Sequence, residues 1–175
     1  MDATSPSPTP PYTNWASAAH VIQDAVDAAQ TGDTVWVAGG VYATGGRAVG
    51  TNLLVNRVAI DRAITVESLM GPEVTIIKGY QLPGTTNGSN AVRCVYLTSG
   101  ALLVGFTLTN GATQTSGNWY DQSGGGVWCE SSSTVVSNCV LTGNSASSFG
   151  GGAYSGTLNS CTLTGNFGLG RRRGQ

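Results

Sequence analysis

Few side chains in this sequence could move a proton or attack an electrophile, and those few are scattered. Beyond residue 40 the acids are Asp61, Glu67, Glu73, Asp121 and Glu130, and the bases ahead of the C-terminal residues are Arg47, Arg57, Arg62, Lys78 and Arg93. General acid–base catalysis gathers such groups within hydrogen-bond reach of one reacting atom. No two of the acids recur at equivalent positions of the repeat described below. The single histidine, His20, falls in a helical stretch and is read as a surface residue rather than a base. There is no GxSxG turn to present a nucleophilic serine. The four cysteines, Cys94, Cys129, Cys139 and Cys161, lack the CxxC spacing of a zinc or dithiol site.

What does recur is aromatic. Tyr96, Trp128 and Tyr154 share one register, preceded by Val95, Val127 and Ala153. With the aliphatic residues facing a core, period-two alternation turns the three rings outward as a ladder. An insertion over residues 113–123 carries Trp119, Tyr120 and Asp121 and rejoins the chain just before Trp128. Its tip is expected to fold over the ladder, with Arg93 and Glu130 nearby. Flat rings beside a few hydrogen-bonding groups suit a sugar or a protein partner. Stacked Tyr and Trp also stabilise a sheet with no ligand at all. Both readings stand at this point.

The elements that must hold these residues follow from the pattern around them. Residues 1–12 are rich in proline and read as an extended lead-in. Over about 16–29, Ala18, Val21, Ile22, Ala25, Val26 and Ala29 recur at helical spacing, predicting an amphipathic helix started by Thr13 or Asn14 and ended by Gly32. After "TGD" the period changes to two, with short β-branched runs bounded by Gly, Asn or Ser. The stretch "GGGVWCESSSTVVSNCVLTGN" is then echoed by "GGGAYSGTLNSCTLTGN". Aligning the echoes superposes Phe106, Cys139 and Cys161, then Leu108, Leu141 and Leu163, and before them Leu103, Val136 and Leu158. Such self-similarity marks an all-β solenoid of about four to five coils over residues 13–168, like stacked on like. Cys139 and Cys161 fall within disulfide range and are expected to form a reduced, packed pair. Asn110, Asn144 and Asn166 are expected at coil corners, in left-handed conformation or in amide ladders.

"IQDAVDAAQTGDTVWVAGGVY" resembles the helix and first coil of right-handed, single-stranded parallel β-helices of the pectate-lyase-like superfamily. The two echoes are similar to repeats of its secreted bacterial surface proteins and to the GG-aliphatic and FxxN repeats of polymorphic outer-membrane adhesins, with Leu141 and Leu163 where those carry Phe. The resemblance implies an N-terminal capping α-helix, a secreted or cell-surface location, and a non-catalytic role in adhesion or carbohydrate binding. Its alternatives are a truncated or divergent lyase of acidic polysaccharide, which would need Ca²⁺, and a self-associating scaffold fragment. The candidate ligand-binding set is Arg93, Tyr96, Trp119, Tyr120, Asp121, Trp128, Glu130 and Tyr154, with no catalytic residue, metal or cofactor assigned.

Charge and composition narrow the partners. A formal net charge of -1 with 10% charged residues leaves no broad basic surface for nucleic acid. No apolar run approaches a membrane span, and no signal peptide opens the chain. Residues 169–175 hold three consecutive arginines, read as a solvated basic tail or as the point where a longer solenoid was cut, leaving a C-terminal coil through which copies could associate.

Overall fold

From Thr34 onward, apolar residues alternate with polar ones, and the backbone responds with short strands bent apart by glycine and asparagine corners. The computed structural model describes residues 1–169. The arginine run of the expected basic tail, Arg171 to Arg173, lies outside the described residues. The strands come in threes. The first coil holds β1 (Thr34–Val37), β2 (Gly40–Tyr42) and β3 (Val55–Ile60), and the second β4 (Thr65–Ser68), β5 (Thr75–Lys78) and β6 (Val92–Leu97). The third has β7 (Leu102–Val104), β8 (Thr107–Thr109) and β9 (Val127–Cys129), the fourth β10 (Val135–Ser137), β11 (Val140–Thr142) and β12 (Ala153–Tyr154). The last described coil holds β13 (Thr157–Asn159) and β14 (Thr162–Thr164).

Each strand pairs in parallel with the strand one coil on, giving three sheets ordered β1-β4-β7-β10-β13, β2-β5-β8-β11-β14 and β3-β6-β9-β12. All-parallel sheets of such short strands are consistent with a parallel β-helix or solenoid. The register superposes Leu103, Val136 and Leu158, and likewise Leu108, Leu141 and Leu163. Phe106, Cys139 and the residues around them join one continuous core. A fully buried leucine in such a column contributes about 2–3 kcal/mol of transfer free energy. The column ends at the last coil, where among the described residues nothing covers Leu163, Phe167 or Leu169 and all three are at least half exposed.

The helical pattern over 16–29 is realised in two pieces. A 3₁₀ turn at Trp15–Ser17 is capped by the Asn14 side chain, and α1 spans only Ile22–Ala28. The lead-in explains the gap between them. It folds back alongside residues 16–20, so that the Ser7, Thr9 and Asp2 amides donate to the carbonyls of Ala16, Ser17 and Ala19, and the Ser5 hydroxyl to that of Ala18. Those are the acceptors a helix starting at residue 16 would need. His20 is part of this seam, its Nε2 lying 2.8 Å from the Ser5 carbonyl. From α1, Ile22, Ala25 and Val26 enter the same core cluster as Val35 and Val58.

The repeated asparagines fill both expected roles, divided by position. Asn110 has φ of 57°, and the positions one and two coils on are filled by Gly143 and Gly165, also left-handed, so this corner needs a residue that tolerates positive φ. Asn144 and Asn166 stand one place later, above Gly111, and are not left-handed. Asn144 is buried and donates to the Asn166 Oδ1 at 3.0 Å and to the Leu108 carbonyl at 2.9 Å, while its Oδ1 accepts from the Gly111 amide at 2.8 Å. Asn166 in turn donates to the Leu141 carbonyl at 2.7 Å. The two amides form a short ladder from coil to coil.

All four cysteines are free thiols. Cys139 and Cys161 are in-register neighbours left unbridged, and their sulfurs also donate to their own strand-end carbonyls, Ser137 and Asn159. The hydrogen bond with Cys139 holds the Cys161 thiol low, and the same contact with burial pushes Cys139 up. Burial pushes Cys94 and Cys129 up to about 12. A chromogenic disulfide reagent should therefore titrate Cys161 alone in the native protein, and the other three only after unfolding. Prompt reaction of all four would contradict the packing.

Candidate functional site

The insertion between β8 and β9 contains α2 (Trp119–Gln122) and lies against the outer surface of the β6-β9-β12 sheet. Val95, Val127 and Ala153 pack into the core, which turns Tyr96, Trp128 and Tyr154 to the outside in one register. The outside of this sheet is only partly open to water, however, because the insertion covers its middle, and Tyr154 stays half-buried. Trp128 is only 3% exposed and Tyr96 is buried, whereas Trp119 is 47% and Tyr120 40% exposed. Trp128 and Tyr154 stack face to face, with centroids 4.4 Å apart and planes 2° apart. Trp119 meets both edge-on, at 4.8 Å and 5.4 Å, and Tyr120 meets Trp128 at 5.4 Å. Four rings thus form one cluster with two inner and two outer members, in the offset and edge-to-face geometries that aromatic quadrupoles favour.

Arg93 holds the insertion down. It is 1% exposed, and its Nε donates to the Gly124 carbonyl at 2.8 Å. Nη1 donates to Asn56 Oδ1 at 2.8 Å, and Nη2 donates to the carbonyls of Ser123, at 2.8 Å, and Tyr120. The guanidinium also lies 5.6 Å from the centre of the Trp128 ring. Burial pulls it down to about 9, against the Asp121 carboxylate, which raises it. Asp121 is itself 1% exposed, and its Oδ1 accepts from the Leu53 and Leu54 amides, each at 2.9 Å. Its Oδ2 has no hydrogen-bond partner among the described residues. Neither charge reaches the surface, so Arg93 and Asp121 position the aromatic cluster and are not placed to touch a ligand. This also removes Arg93 as the base or clamp of a lyase groove.

Tyr96 and Glu130 form a separate pair. The Tyr96 hydroxyl donates to Glu130 Oε1, and the Thr98 hydroxyl donates to Oε2 at 2.7 Å. Burial, then the bond to Glu130, pushes the Tyr96 phenol up. Burial would raise Glu130, but the Tyr96 and Thr98 bonds outweigh it and leave the carboxyl below its usual range. Of the eight candidate residues, the structure therefore gathers Trp119, Tyr120, Trp128 and Tyr154 into one face, sets Arg93 and Asp121 beneath it, and sets Tyr96 with Glu130 beside it.

The glycines at the insertion's base explain why the chain can return so tightly. Gly124 and Gly150 have positive φ, and a Cβ on Gly125 or Gly126 would collide with the carbonyl oxygens of Ser145 and Gly152 on the next coil. Sequence reasoning missed Asn56, the in-register neighbour of Arg93 on β3. Its signal was a polar residue among the apolar positions of "VNRVAI". Among the described residues, no three His, Cys, Asp or Glu side chains come together as a metal would require. No described helix is long and apolar enough to cross a membrane. No family model, no curated protein and no solved structure matches the chain, so its own geometry carries the functional reading.

Proposed function

We propose that the chain is a non-catalytic module of a secreted or cell-surface protein, a right-handed parallel β-helix capped by α1, that binds saccharide on the Trp119–Tyr120 face. The observation that carries this reading is the pair of half-exposed rings, Trp119 and Tyr120, on a platform of buried Trp128 and half-buried Tyr154. Exposed aromatic area that is rigid before binding loses little entropy on contact, which favours stacking against a sugar face. Support for a module rather than an enzyme comes from the acids. Asp61 is tied to Arg47 and Arg62, Asp121 is buried, and Glu130 is occupied by Tyr96 and Thr98.

A glycan array and a panel of uronate polymers, each with and without Ca²⁺, test the reading. Binding without an unsaturated, ultraviolet-absorbing product is expected, and Trp119→Ala should weaken it by at least about tenfold while leaving the fold intact. Product formation would replace this reading with the lyase alternative. The exposure of Leu163 and Phe167 on the last coil favours a second reading, association of copies through that end. Sedimentation at rising protein concentration should then show dimers, and a monomer throughout would dismiss it.

A further inference from the structure

At the other end of the molecule, the lead-in, α1 and β1 enclose a cleft of about 690 Å³ that shares no residue with the Trp119 face. Its floor is apolar and buried, formed partly by Ala29 and Val35, and its walls carry Trp15 and Trp36, each about half exposed. Trp36 reaches it because β1 alternates, sending Val35 and Val37 into the core and Trp36 out.

The rim supplies polar groups of both kinds. Asp33 accepts the Gln30 amide through Oδ2 at 2.7 Å, and Asn14 caps the 3₁₀ turn through Oδ1. Among the described residues, the Asp33 Oδ1, the Gln30 carboxamide and the Asn14 Nδ2 make no side-chain hydrogen bond within the protein. The lining carries one carboxylate, that of Asp33, and no cationic side chain, which disfavours an anionic ligand. Two indole side chains, an apolar floor and a rim of free donors and acceptors without a cationic side chain match a ligand that has flat CH faces, many hydroxyls and no negative charge.

We infer that this cleft is a second saccharide site, for a neutral oligosaccharide, at the N-terminal end of the solenoid. The chain then carries two separate sites, and a polysaccharide long enough to meet both would be held with a gain from effective concentration. The two sites can fail independently.

The chain's four tryptophans divide two and two between the sites, so the indole N–H signals of ¹⁵N-labelled protein report each site separately. The titrants are neutral hexasaccharides of glucose, mannose or galactose, with signals assigned through single Trp→Phe variants. Saturable shifts of the Trp15 and Trp36 signals are expected with at least one of them. Trp36→Ala, at an exposed position, should then weaken binding at least about tenfold, read from the remaining Trp15 signal. Shifts confined to Trp119 and Trp128 would overturn the cleft while leaving the proposed function in place. Silence of Trp15 and Trp36 would overturn the cleft whatever the other two signals do, and shifts at Trp15 undiminished by Trp36→Ala would overturn the cleft geometry.

Discussion

Arg93→Met should lower the unfolding free energy by about 3–5 kcal/mol, the range found when one partner of a buried charged network is removed. Methionine fills much of the same space, so the loss is mainly electrostatic. The carbonyls of Tyr120, Ser123 and Gly124 and the Asn56 amide oxygen would each lose their donor, and Asp121 would lose its nearby cation. An acceptor left unpaired away from water costs about 1–3 kcal/mol, so incomplete relaxation at several sites reaches the stated range. Urea unfolding should show the loss. Native-state tryptophan fluorescence should shift to the red as Trp128 becomes wet. Arg93→Lys should recover only part of it, because one ammonium cannot span acceptors arranged around a planar fork. A loss under about 1 kcal/mol for Arg93→Met would mean that ring contacts alone fasten the insertion.

The second large effect is expected at the amide ladder. Asn144→Ala removes the acceptor of the buried Gly111 amide and the donor to the Leu108 carbonyl, and should cost about 2–4 kcal/mol. Asn166→Ala should cost less, since Asn166 is only half-buried on the last coil and water can replace part of what it does. Asn110→Gly should be close to neutral, because the backbone there is left-handed and the side chain carries no ladder bond. Midpoints of urea unfolding for the three variants check the ranking. Equal losses at Asn144 and Asn166 would show that burial, which separates them, is not what sets the cost.

How much of this could be read from the residues differs from coil to coil. The later coils were legible because their columns repeat at one spacing, so Leu103, Val136 and Leu158 align without any structure. The insertion was legible as the residues in excess of that spacing. The first two coils were not, because loops 43–54 and 79–91 break the period, and Asn56 was therefore never placed beside Arg93. Which asparagine would take which role was not legible, because "TNG" and "TGN" look interchangeable, whereas backbone geometry puts Asn110 on the column of Gly143 and Gly165. At the aromatic face, the outward turn of Tyr96, Trp128 and Tyr154 followed from the alternation of the strands, but the burial of Tyr96 and Trp128 did not. Nor were the charges legible, since a lone arginine and a loop aspartate read as surface groups until the carbonyls and amides that surround them are known. The N-terminal cleft had a trace in "TVWV", but its other wall comes from a proline-rich segment whose return path no periodicity encodes.

A solenoid ordinarily passes information only between adjacent coils, so its unfolding behaves like a row of coupled units that can fray from an end. The insertion changes that row into something closer to a braced frame. It belongs to the third coil, reaches the loop before β3 in the first through Asp121, is gripped from the second by Arg93, and touches the fourth through Tyr154. Those four coils should accordingly exchange their amide hydrogens together, with a single opening free energy, while β13 and β14, which lie beyond the brace, open on their own at lower cost.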